Sequence, residues 1–316
     1  MKTIIITGAT AGIGFEAANF LLKQKKYNLI VGVRDAARGK AMTSRLIAET
    51  QNPNIQTLPT QVQTLPLDLS SLDSVRAFAE KISATEVYGF IGNAGIQHPE
   101  GLVRTSDGIE ETFGVNHLAH FLLVNLLLKK YPALQRIVIT ASEVHDAAYK
   151  GALGISVPPP HYTTADAAAY PTDDGKSQVE NQRRYSLSKL CNVFFVYELC
   201  RKLQQAGNQR ITGNLFNPRL VPGTELARSF PPPIRFAWNN ILPLFADRHP
   251  RVRSAARSGR DLAKLIDDDS ITVSGKYFDA DEITATSKES YDLGKAKELW
   301  DASVRLSHLK PDETIF

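Results

Sequence analysis

Apolar residues occur along this chain in short runs separated by stretches with helical periodicity. Residues 4–6 and 29–31 are continuous apolar runs of the kind found in buried strands. Between them, apolar residues within 14–25 recur every three or four positions, which is typical of one face of a helix. The pattern predicts a strand, a helix and a second strand within the first 31 residues.

The same alternation continues to the end of the chain. Further strands are predicted at 62–67, 87–92, 136–140, 211–216 and 275–278, and further helices at 72–83, 116–130, 185–205 and 253–266. Strands that alternate with helices form a parallel sheet covered on both faces. The sequence therefore predicts an α/β fold, a Rossmann-type doubly wound sheet of about seven strands.

Two stretches interrupt this rhythm. Residues 146–184 contain three consecutive prolines and no sustained period, and residues 225–250 contain a second run of three consecutive prolines followed by a series of aliphatic and aromatic residues. We expect both stretches to leave the sheet as insertions. A length of 316 residues alone suggests roughly two domains at ~150 residues each, so a second domain is the competing interpretation.

Composition and charge exclude several classes of protein. With 43% apolar and 22% charged residues, the chain is typical of a globular protein rather than a disordered or fibrous one. A formal charge of +4 without a dense basic run predicts no nucleic-acid partner. Apolar runs are too short for a membrane span, and the N-terminus opens on a strand rather than a signal peptide, so we expect a cytoplasmic location.

Cysteine and histidine patterns add two expectations. Cys191 and Cys200 lie nine residues apart in one predicted helix, about 13 Å along its axis, and so cannot form a disulfide with each other. This favours a reducing compartment. The seven histidines show no metal-ligand spacing, and His117 and His120 are better explained by helix packing, so no metal site is predicted.

A glycine-rich loop follows the first strand and precedes the first helix. Glycine at such a junction allows a tight turn and close approach of the backbone to a phosphate, and the helix N-terminus provides N–H groups and a partial positive charge. The alternative is an ordinary tight turn between strand and helix. The position favours a dinucleotide-binding site formed by Gly8, Thr10, Ala11, Gly12, Ile13 and Gly14.

A tyrosine and a lysine lie four residues apart in the longest predicted helix. Tyr185 and Lys189 therefore project from the same helix face. Reduction of a carbonyl requires a proton donor at the oxygen, and a phenol with a pKa near ~10 is poorly suited near neutrality. A neighbouring ammonium group stabilises tyrosinate and lowers that pKa. The alternative is an exposed pair without a catalytic role.

Together these motifs resemble the short-chain dehydrogenase/reductase family, whose phosphate loop has the spacing Thr-Gly-x-x-x-Gly-Ile-Gly found at residues 7–14. The resemblance implies that Tyr185 is the general acid/base, that Lys189 also holds the nicotinamide ribose, that Ser142 orients the substrate oxygen and that Asn116 anchors a proton relay. It further implies cofactor contacts from Asp68 and Leu69 after the third strand and from Asn93, Ala94 and Gly95 after the fourth.

The end of the second strand bears on the choice between NADP and NAD. Arg34 occupies the family's discriminating position and Arg38 adds a second charge, which favours the 2′-phosphate of NADPH. Asp35 follows Arg34 and supports the alternative, NAD, because a carboxylate there would bind the ribose hydroxyls.

The turn after the sixth strand departs from the family pattern. The resemblance implies nicotinamide contacts from Pro218, Val221 and Thr224, but Arg219 stands where the family has glycine. Because of this change we expect the nicotinamide end of the site to be rearranged. Gly92 also replaces a second asparagine before Asn93, a departure that affects only a supporting residue.

Longer segments are similar to the retinol dehydrogenase and light-dependent protochlorophyllide reductase branch. The chain is predicted to be an NADPH-preferring oxidoreductase that transfers hydride between nicotinamide and a carbonyl or alcohol carbon. The alternatives are light-dependent reduction of a C=C bond in protochlorophyllide and a non-catalytic NADP(H) sensor. Cys191 is explained either by a role in protochlorophyllide reduction or by simple packing in a buried helix.

The motifs extend over one sheet, so we predict a single domain over residues 1–316. The insertions at 146–184 and 225–250 are then expected to form a lid over a bulky, apolar small-molecule substrate. Aromatic residues and nearby arginines in the second insertion also suit peripheral contact with an anionic membrane, although packing on the protein itself is favoured. A homo-oligomer formed through the helices after the fourth and fifth strands is also compatible with the resemblance.

Overall fold

Eight strands form one sheet in the computed structural model, which describes residues 1–50, 61–151, 157–224, 232–249 and 251–316. The strand order is β3-β2-β1-β4-β5-β6-β7-β8. Neighbouring strands pair in parallel except β7 and β8, which are antiparallel. The strands are β1 (Lys2–Thr7), β2 (Tyr27–Val33), β3 (Val62–Pro66), β4 (Val87–Gly92), β5 (Arg136–Thr140), β6 (Thr212–Asn217), β7 (Lys276–Asp279) and β8 (Glu282–Thr284).

Helices connect the strands and cover both faces of the sheet. They are α1 (Gly12–Lys23), α2 (Ala36–Thr50), α3 (Leu72–Lys81), α4 (Glu111–Phe113), α5 (Ala119–Lys130), α6 (Ala165–Ala169), α7 (Gln178–Gln205), α8 (Pro232–Phe236), α9 (Ala255–Asp267) and α10 (Leu293–Leu306). A π-helical turn, Gly114–Leu118, joins α4 to α5, and a second, Ala237–Ile241, follows α8. Within the described ranges, no helix is long and apolar enough to cross a bilayer.

Two apolar clusters lie on opposite faces of the sheet. Residues of α1, α2 and α9 form one cluster with the side chains of β1 and β2 that point toward them. Residues of α3, α5, α7 and α10 form the other. Burial of apolar surface on both faces explains why the central strands are continuously apolar rather than alternating. The fold is thus the predicted α/β, Rossmann-like doubly wound sheet.

The sequence prediction missed or misplaced several elements. It gave seven strands, whereas β8 is an eighth, only three residues long and fully exposed, so it lacks a hydrophobic pattern. It began the long helix at 185, but α7 begins at Gln178 because the Ser177 hydroxyl accepts a hydrogen bond from Glu180 N and caps the helix. The stretch predicted to be irregular at 146–184 therefore ends in the first turns of α7. Helices α2 and α10 were not predicted.

The C-terminal helix α10 covers one side of α5 and α7. The Trp300 ring packs against Phe121 of α5 and Phe195 of α7, with centroid separations of 5.0 and 6.0 Å. Phe316 packs edge-on against Trp300, and Thr314 Oγ1 donates to Asn125 Oδ1 at 2.8 Å. This face of the two helices is therefore occupied by the chain's own residues rather than exposed for pairing.

Candidate active site

The sequence-predicted residues meet around a cavity of about 440 Å³ at the carboxyl ends of the parallel strands. Ligands of doubly wound sheets bind at this edge, where loops from several strands converge. The predicted residues that line it are Gly8, Thr10, Ala11, Gly12, Ile13, Arg34, Arg38, Asp68, Leu69, Asn93, Ala94, Gly95, Ser142, Tyr185, Lys189, Pro218, Val221 and Thr224. Gly14 and Asn116 are absent from the lining and lie behind it.

The glycine loop has the backbone shape and the charge suited to a phosphate. Gly8 and Gly12 have φ angles of +68° and +58°, a region that favours glycine. Helix α1 begins at Gly12, and Ala11 before it provides no side-chain cap for the first N–H groups. The first turn carries no acidic residue either. An anion is therefore the partner that this helix end suits.

Gly14, which was predicted to contact the cofactor, is absent from the lining and packs closely against the loop. A Cβ at this position would lie 2.2 Å from the Gly8 carbonyl oxygen and 2.6 Å from Asn93 Nδ2. Asn93 Nδ2 donates to that same carbonyl at 3.1 Å. Gly14 thus allows α1 to sit directly beneath the loop, and only a residue without a side chain fits there.

A buried hydroxyl joins the glycine loop to the turn after β4. Thr7 Oγ1 accepts hydrogen bonds from the backbone N–H groups of Asn93 and Ala94 at 3.0 and 3.1 Å. It also lies 2.9 Å from His120 Nε2. Because the Thr7 oxygen already accepts two hydrogen bonds, its hydroxyl donates to Nε2 of a neutral His120 ring. The proton of that ring is then on Nδ1, which donates to the Asn116 carbonyl. Burial supports this protonation state, since it lowers the pKa of His120 to about 4.

The same packing explains a departure from the family motif. A Cβ at Gly92 would lie 2.7 Å from Ile139 Cδ1 and 2.9 Å from the His120 ring. The space that a second asparagine would need is therefore filled by these two side chains. Sequence reasoning correctly treated His120 as a packing and polar contact, but it did not identify Thr7 as the partner.

The end of β2 presents two arginines to the cavity and turns its aspartate away. Arg34 and Arg38 line the cavity, whereas Asp35 is not part of the lining. The Asp35 carboxylate instead accepts hydrogen bonds from the backbone N–H groups of Ala37 and Arg38, at 2.7 and 3.3 Å. It therefore caps the start of α2.

Three polar side chains lie at the base of the cavity. Tyr185 is half-buried and Lys189 is buried on one face of α7, with Lys189 Nζ 5.6 Å from the centre of the tyrosine ring. The Tyr185 hydroxyl forms a hydrogen bond with the side chain of Ser142, which lies just beyond β5. Lys189 Nζ also donates to the Thr140 carbonyl at 3.0 Å, so the end of β5 fixes both the serine and the lysine.

Burial dominates the protonation of this pair. It raises the pKa of Tyr185 to about 12, against the lowering effect of the Ser142 hydrogen bond, and it lowers the pKa of Lys189 to about 8. The expectation that Lys189 lowers the pKa of Tyr185 was wrong for this arrangement, because burial of the phenol raises that pKa instead. A neutral phenol is nevertheless the form that donates a proton to a carbonyl oxygen.

Asn116 lies behind the cavity, in the π-helical turn. Its Oδ1 accepts from Ile96 N at 2.7 Å, while its Nδ2 donates to the Ile96 carbonyl and to Ser188 Oγ, both at 2.9 Å. Ser188 Oγ in turn donates to the Tyr185 carbonyl. A Cβ added at Gly95 would lie 3.3 Å from Asn116 Oδ1 and 3.5 Å from Lys189 Nζ. The asparagine thus connects the strand β4 turn with the helix that carries the tyrosine and lysine.

Arg219 occupies the position where the family has glycine and adopts a glycine-like backbone. Its φ is +60°, a left-handed conformation that is unfavourable for a side chain. Two interactions hold it there: Asn217 Oδ1 accepts from its backbone N–H at 3.2 Å, and its guanidinium contacts the Asp279 carboxylate with two distances of 3.0 Å. Arg219 thus keeps the backbone conformation of a glycine, and the change in this turn lies in its side chain, which pairs with Asp279.

The segment after this turn lies over one side of the cavity. Trp238 is buried and lines the cavity, and its indole N–H donates to the Thr224 carbonyl at 3.3 Å. On the outer surface, by contrast, Phe236 and Leu244 are 62% and 67% exposed. Residues 225–231 and 250 of the predicted insertion, including Phe230, lie outside the described residues, as do 152–156 of the first insertion.

Further residues line the cavity that were not named individually as site residues from the sequence. They are Ile96, Gln97, Pro99, Glu111, Glu143, Val144, Tyr149, Val157, Gln182, Leu220 and Trp238. Four of them, Tyr149, Val157, Gln182 and Trp238, belong to the two insertions that were expected to form a lid, and Glu143 directly follows Ser142. Cys191 lies on the core-facing side of α7, is fully buried and is absent from this lining, and burial raises the pKa of its thiol. Packing therefore explains this cysteine. In the described part of the chain, no group of three metal-ligating side chains occurs.

Comparison with known proteins adds relatives of matching length. The short chain dehydrogenase family profile matches residues 2–153. Human retinol dehydrogenase 13 is 35% identical over 98% of this chain and 85% of its own length. Protochlorophyllide reductase from Avena sativa is 27% identical over 96% and 98%. A crystal structure of an uncharacterized protein from Mycobacterium paratuberculosis superposes with a TM-score of 0.68, at 25% identity over 98% and 94%. The chain belongs to the short-chain dehydrogenase/reductase family and is an oxidoreductase of the kind that uses NAD(P)(H).

Proposed function

We propose that this enzyme prefers NADPH and transfers hydride between the nicotinamide and a carbonyl or alcohol carbon of a bulky, largely apolar substrate. The observation that carries the proposal is the arrangement of Ser142, Tyr185 and Lys189 at the base of the cavity. The hydroxyls of Ser142 and Tyr185 hydrogen-bond to each other, so one carbonyl oxygen of a substrate can contact both.

Tyr185 acts as the acid in reduction and as the base in oxidation. The bound nicotinamide supplies or accepts the hydride. As charge develops on the substrate oxygen, the Tyr185 hydroxyl donates its proton and the Ser142 hydroxyl donates a hydrogen bond. Both groups are set in advance, by helix α7 and by the end of β5, so little reorganisation accompanies the reaction.

Lys189 stabilises the tyrosinate that forms when the proton leaves. Its ammonium is buried 5.6 Å from the ring centre, where a charge acts more strongly than in bulk water. One of its N–H groups is used by the Thr140 carbonyl, and the remaining ones would hold the nicotinamide ribose of a bound cofactor. Asn116 keeps the turn after β4 next to this lysine and maintains the proton relay from it.

The arginines at the end of β2 support the preference for NADPH. Arg34 and Arg38 face the cavity, while the Asp35 carboxylate is engaged in capping α2. A phosphate on the ribose would therefore meet guanidinium groups rather than a carboxylate. Asp68, Leu69, Pro218, Val221 and Thr224 also line the cavity. We assign the first two to the adenine of the cofactor and the last three to its nicotinamide.

The substrate enters over residues 232–249, which we assign as a lid. Trp238 faces the cavity, and apolar side chains around it provide the surface for a large ligand. Contact of the exposed Phe236 and Leu244 with an anionic membrane remains a prediction. A flotation assay with anionic liposomes tests it, and protein that stays at the bottom of the gradient would rule it out.

The decisive experiment follows NADPH oxidation in the dark with a panel of apolar aldehydes and ketones. We expect turnover in the dark and no chlorophyllide formation on illumination with protochlorophyllide. Light-dependent product would instead favour the C=C reductase. Tight NADPH binding without turnover of any carbonyl would favour a sensor and contradict the proposal.

A further inference from the structure

Glu143 and Tyr149 form a polar pair inside the substrate side of the cavity. Glu143 directly follows Ser142 and lines the cavity, as does Tyr149. The Tyr149 hydroxyl donates a hydrogen bond to the Glu143 carboxylate. Neither residue has a part in the hydride-transfer machinery described above.

The loop that carries this pair is anchored to the fold. The Ser142 side chain caps the 3₁₀ turn Glu143–His145. His145 is buried, its Nδ1 lies 2.6 Å from the Ser142 carbonyl, and its Nε2 accepts from Ser287 N at 3.2 Å. The His145 ring also packs against Tyr277 of β7 at 5.1 Å. Glu143 is therefore presented to the cavity by a loop whose position is fixed from outside the site.

The carboxylate keeps capacity to bind a ligand. An ionised carboxylate has two oxygens with about four lone-pair positions, and one phenol O–H occupies at most one of them. Two arginines favour the ionised form of Glu143: Arg251 lies outside the lining, and Arg219, on the lining, is already paired with Asp279 at 3.0 Å and with Glu282 at 3.4 Å. Negative charge at Glu143 is thus only partly offset on this side of the cavity, and burial penalises it further by raising the pKa of its carboxyl.

We propose that Glu143, held by Tyr149, is a specificity-determining residue that accepts a hydrogen bond from a hydroxyl or N–H group of the substrate and excludes substrates bearing a carboxylate. This inference rests on the proposed carbonyl reductase activity. It narrows the substrate from an apolar carbonyl compound to a neutral one with a hydrogen-bond donor near the reacting group. An apolar isostere lacking the donor leaves the carboxylate unpaired, which is the usual source of strong discrimination.

The test compares three benzaldehydes that differ in one substituent: methyl, hydroxymethyl and carboxylate, each in meta and para positions. For the wild type we expect kcat/KM to fall in the order hydroxymethyl, methyl, carboxylate. In Glu143→Gln, kcat/KM for the carboxylate should rise about tenfold, equivalent to about 1.4 kcal/mol, while that for the methyl compound stays within about twofold. Tyr149→Phe should reduce the preference for hydroxymethyl several-fold.

Glu282→Gln is the matched control. Glu282 is also a carboxylate near Arg219, but it is exposed on β8 and lies outside the cavity lining. We expect this variant to leave the order and the ratios of the three substrates unchanged.

The outcomes distinguish failure of the role proposed for Glu143 from failure of the proposed carbonyl reductase activity. Equal kcat/KM for the carboxylate and the methyl compound in the wild type would overturn the role of Glu143, as would a Glu143→Gln variant that slows all three substrates alike. Absence of turnover with the methyl compound in every variant, the wild type included, would count against the carbonyl reductase activity itself.

Discussion

The phosphate-binding half of the cavity and the substrate half are built by different means. At the glycine loop, the backbone itself makes the site: Gly8 and Gly12 adopt positive φ, and Gly14 leaves room for the Gly8 carbonyl. On the substrate side, side chains from distant segments make it: Arg219 pairs with Asp279, and Trp238 bonds to the Thr224 carbonyl. A site formed by the backbone strongly restricts which residue types can occupy it. A site formed by side chains can be made by many different combinations of residues.

This difference explains which half a sequence reveals. Residues required by a backbone conformation recur as a motif, so the loop could be identified from three glycines and their spacing. Contacts such as Arg219 with Asp279 join positions sixty residues apart in sequence and leave no local signal. The following predictions test the contrast, beginning with the largest expected effect.

Gly14→Ala should damage the phosphate-binding half most. A Cβ 2.2 Å from a backbone oxygen has no flexible neighbour to displace, so we expect a loss of about 1–3 kcal/mol in the free energy of unfolding and a marked loss of NADPH affinity. Chemical denaturation and fluorescence titration measure the two effects. Gly101→Ala is the control, because no atom lies within 4 Å of a Cβ built there, and it should change neither quantity.

Arg34→Ala tests the cofactor preference within the same half. Loss of a charge-assisted contact to the 2′-phosphate should weaken NADPH binding about tenfold or more and leave NADH binding nearly unchanged. Lys40→Ala removes a nearby exposed charge that does not line the cavity, and it should affect both cofactors alike. An unchanged Kd for NADPH in Arg34→Ala would show that this residue does not select the cofactor.

The pH dependence of kcat tests the role of the Lys189 ammonium. Because burial lowers the pKa of Lys189 to about 8, the ammonium is present below that pH and lost above it. Since the ammonium supports proton transfer, kcat for reduction should be level near neutrality and fall about tenfold per pH unit well above pH 8. A pH–rate profile measures this. A profile that stays flat to pH 10 would indicate that Lys189 keeps its proton or that its charge is not needed.

Arg219 substitutions should give the smallest effects. Arg219→Gly loses the ion pair with Asp279 but relieves the positive φ, so the two changes oppose each other. Arg219→Ala loses the ion pair and retains the strain, and we expect it to be less stable than Arg219→Gly by about 1 kcal/mol. Thermal or chemical denaturation of both variants checks the difference. Equal stability would mean that the left-handed backbone at this position costs little.

The fold and the catalytic group could largely be predicted from sequence, for physical reasons. Apolar runs at 4–6 and 29–31 are long enough to require burial on both sides, and Tyr185 and Lys189 share a helix face through a fixed local spacing. Strand β8 could not be predicted, because three exposed residues carry no hydrophobic pattern. Glu143 and Tyr149 could not be predicted either, since their placement depends on His145 bonding to Ser287, more than a hundred residues away.

Gly14 and Asp35 show what a motif does not reveal. Gly14 belongs to the glycine motif and packs against the Gly8 carbonyl, and Asp35 follows Arg34 but caps a helix. In both cases the residue could be located from the sequence, but the contacts that it makes could not.

The central claim is that Tyr185 transfers the proton while the two halves of the cavity otherwise act independently. Tyr185→Phe with NADPH and a reducible apolar aldehyde tests it directly, by measuring kcat and the NADPH Kd on the same protein. We expect kcat to fall by about a factor of 10² to 10⁴ with the Kd unchanged within about threefold. Retention of wild-type turnover by Tyr185→Phe would contradict the account.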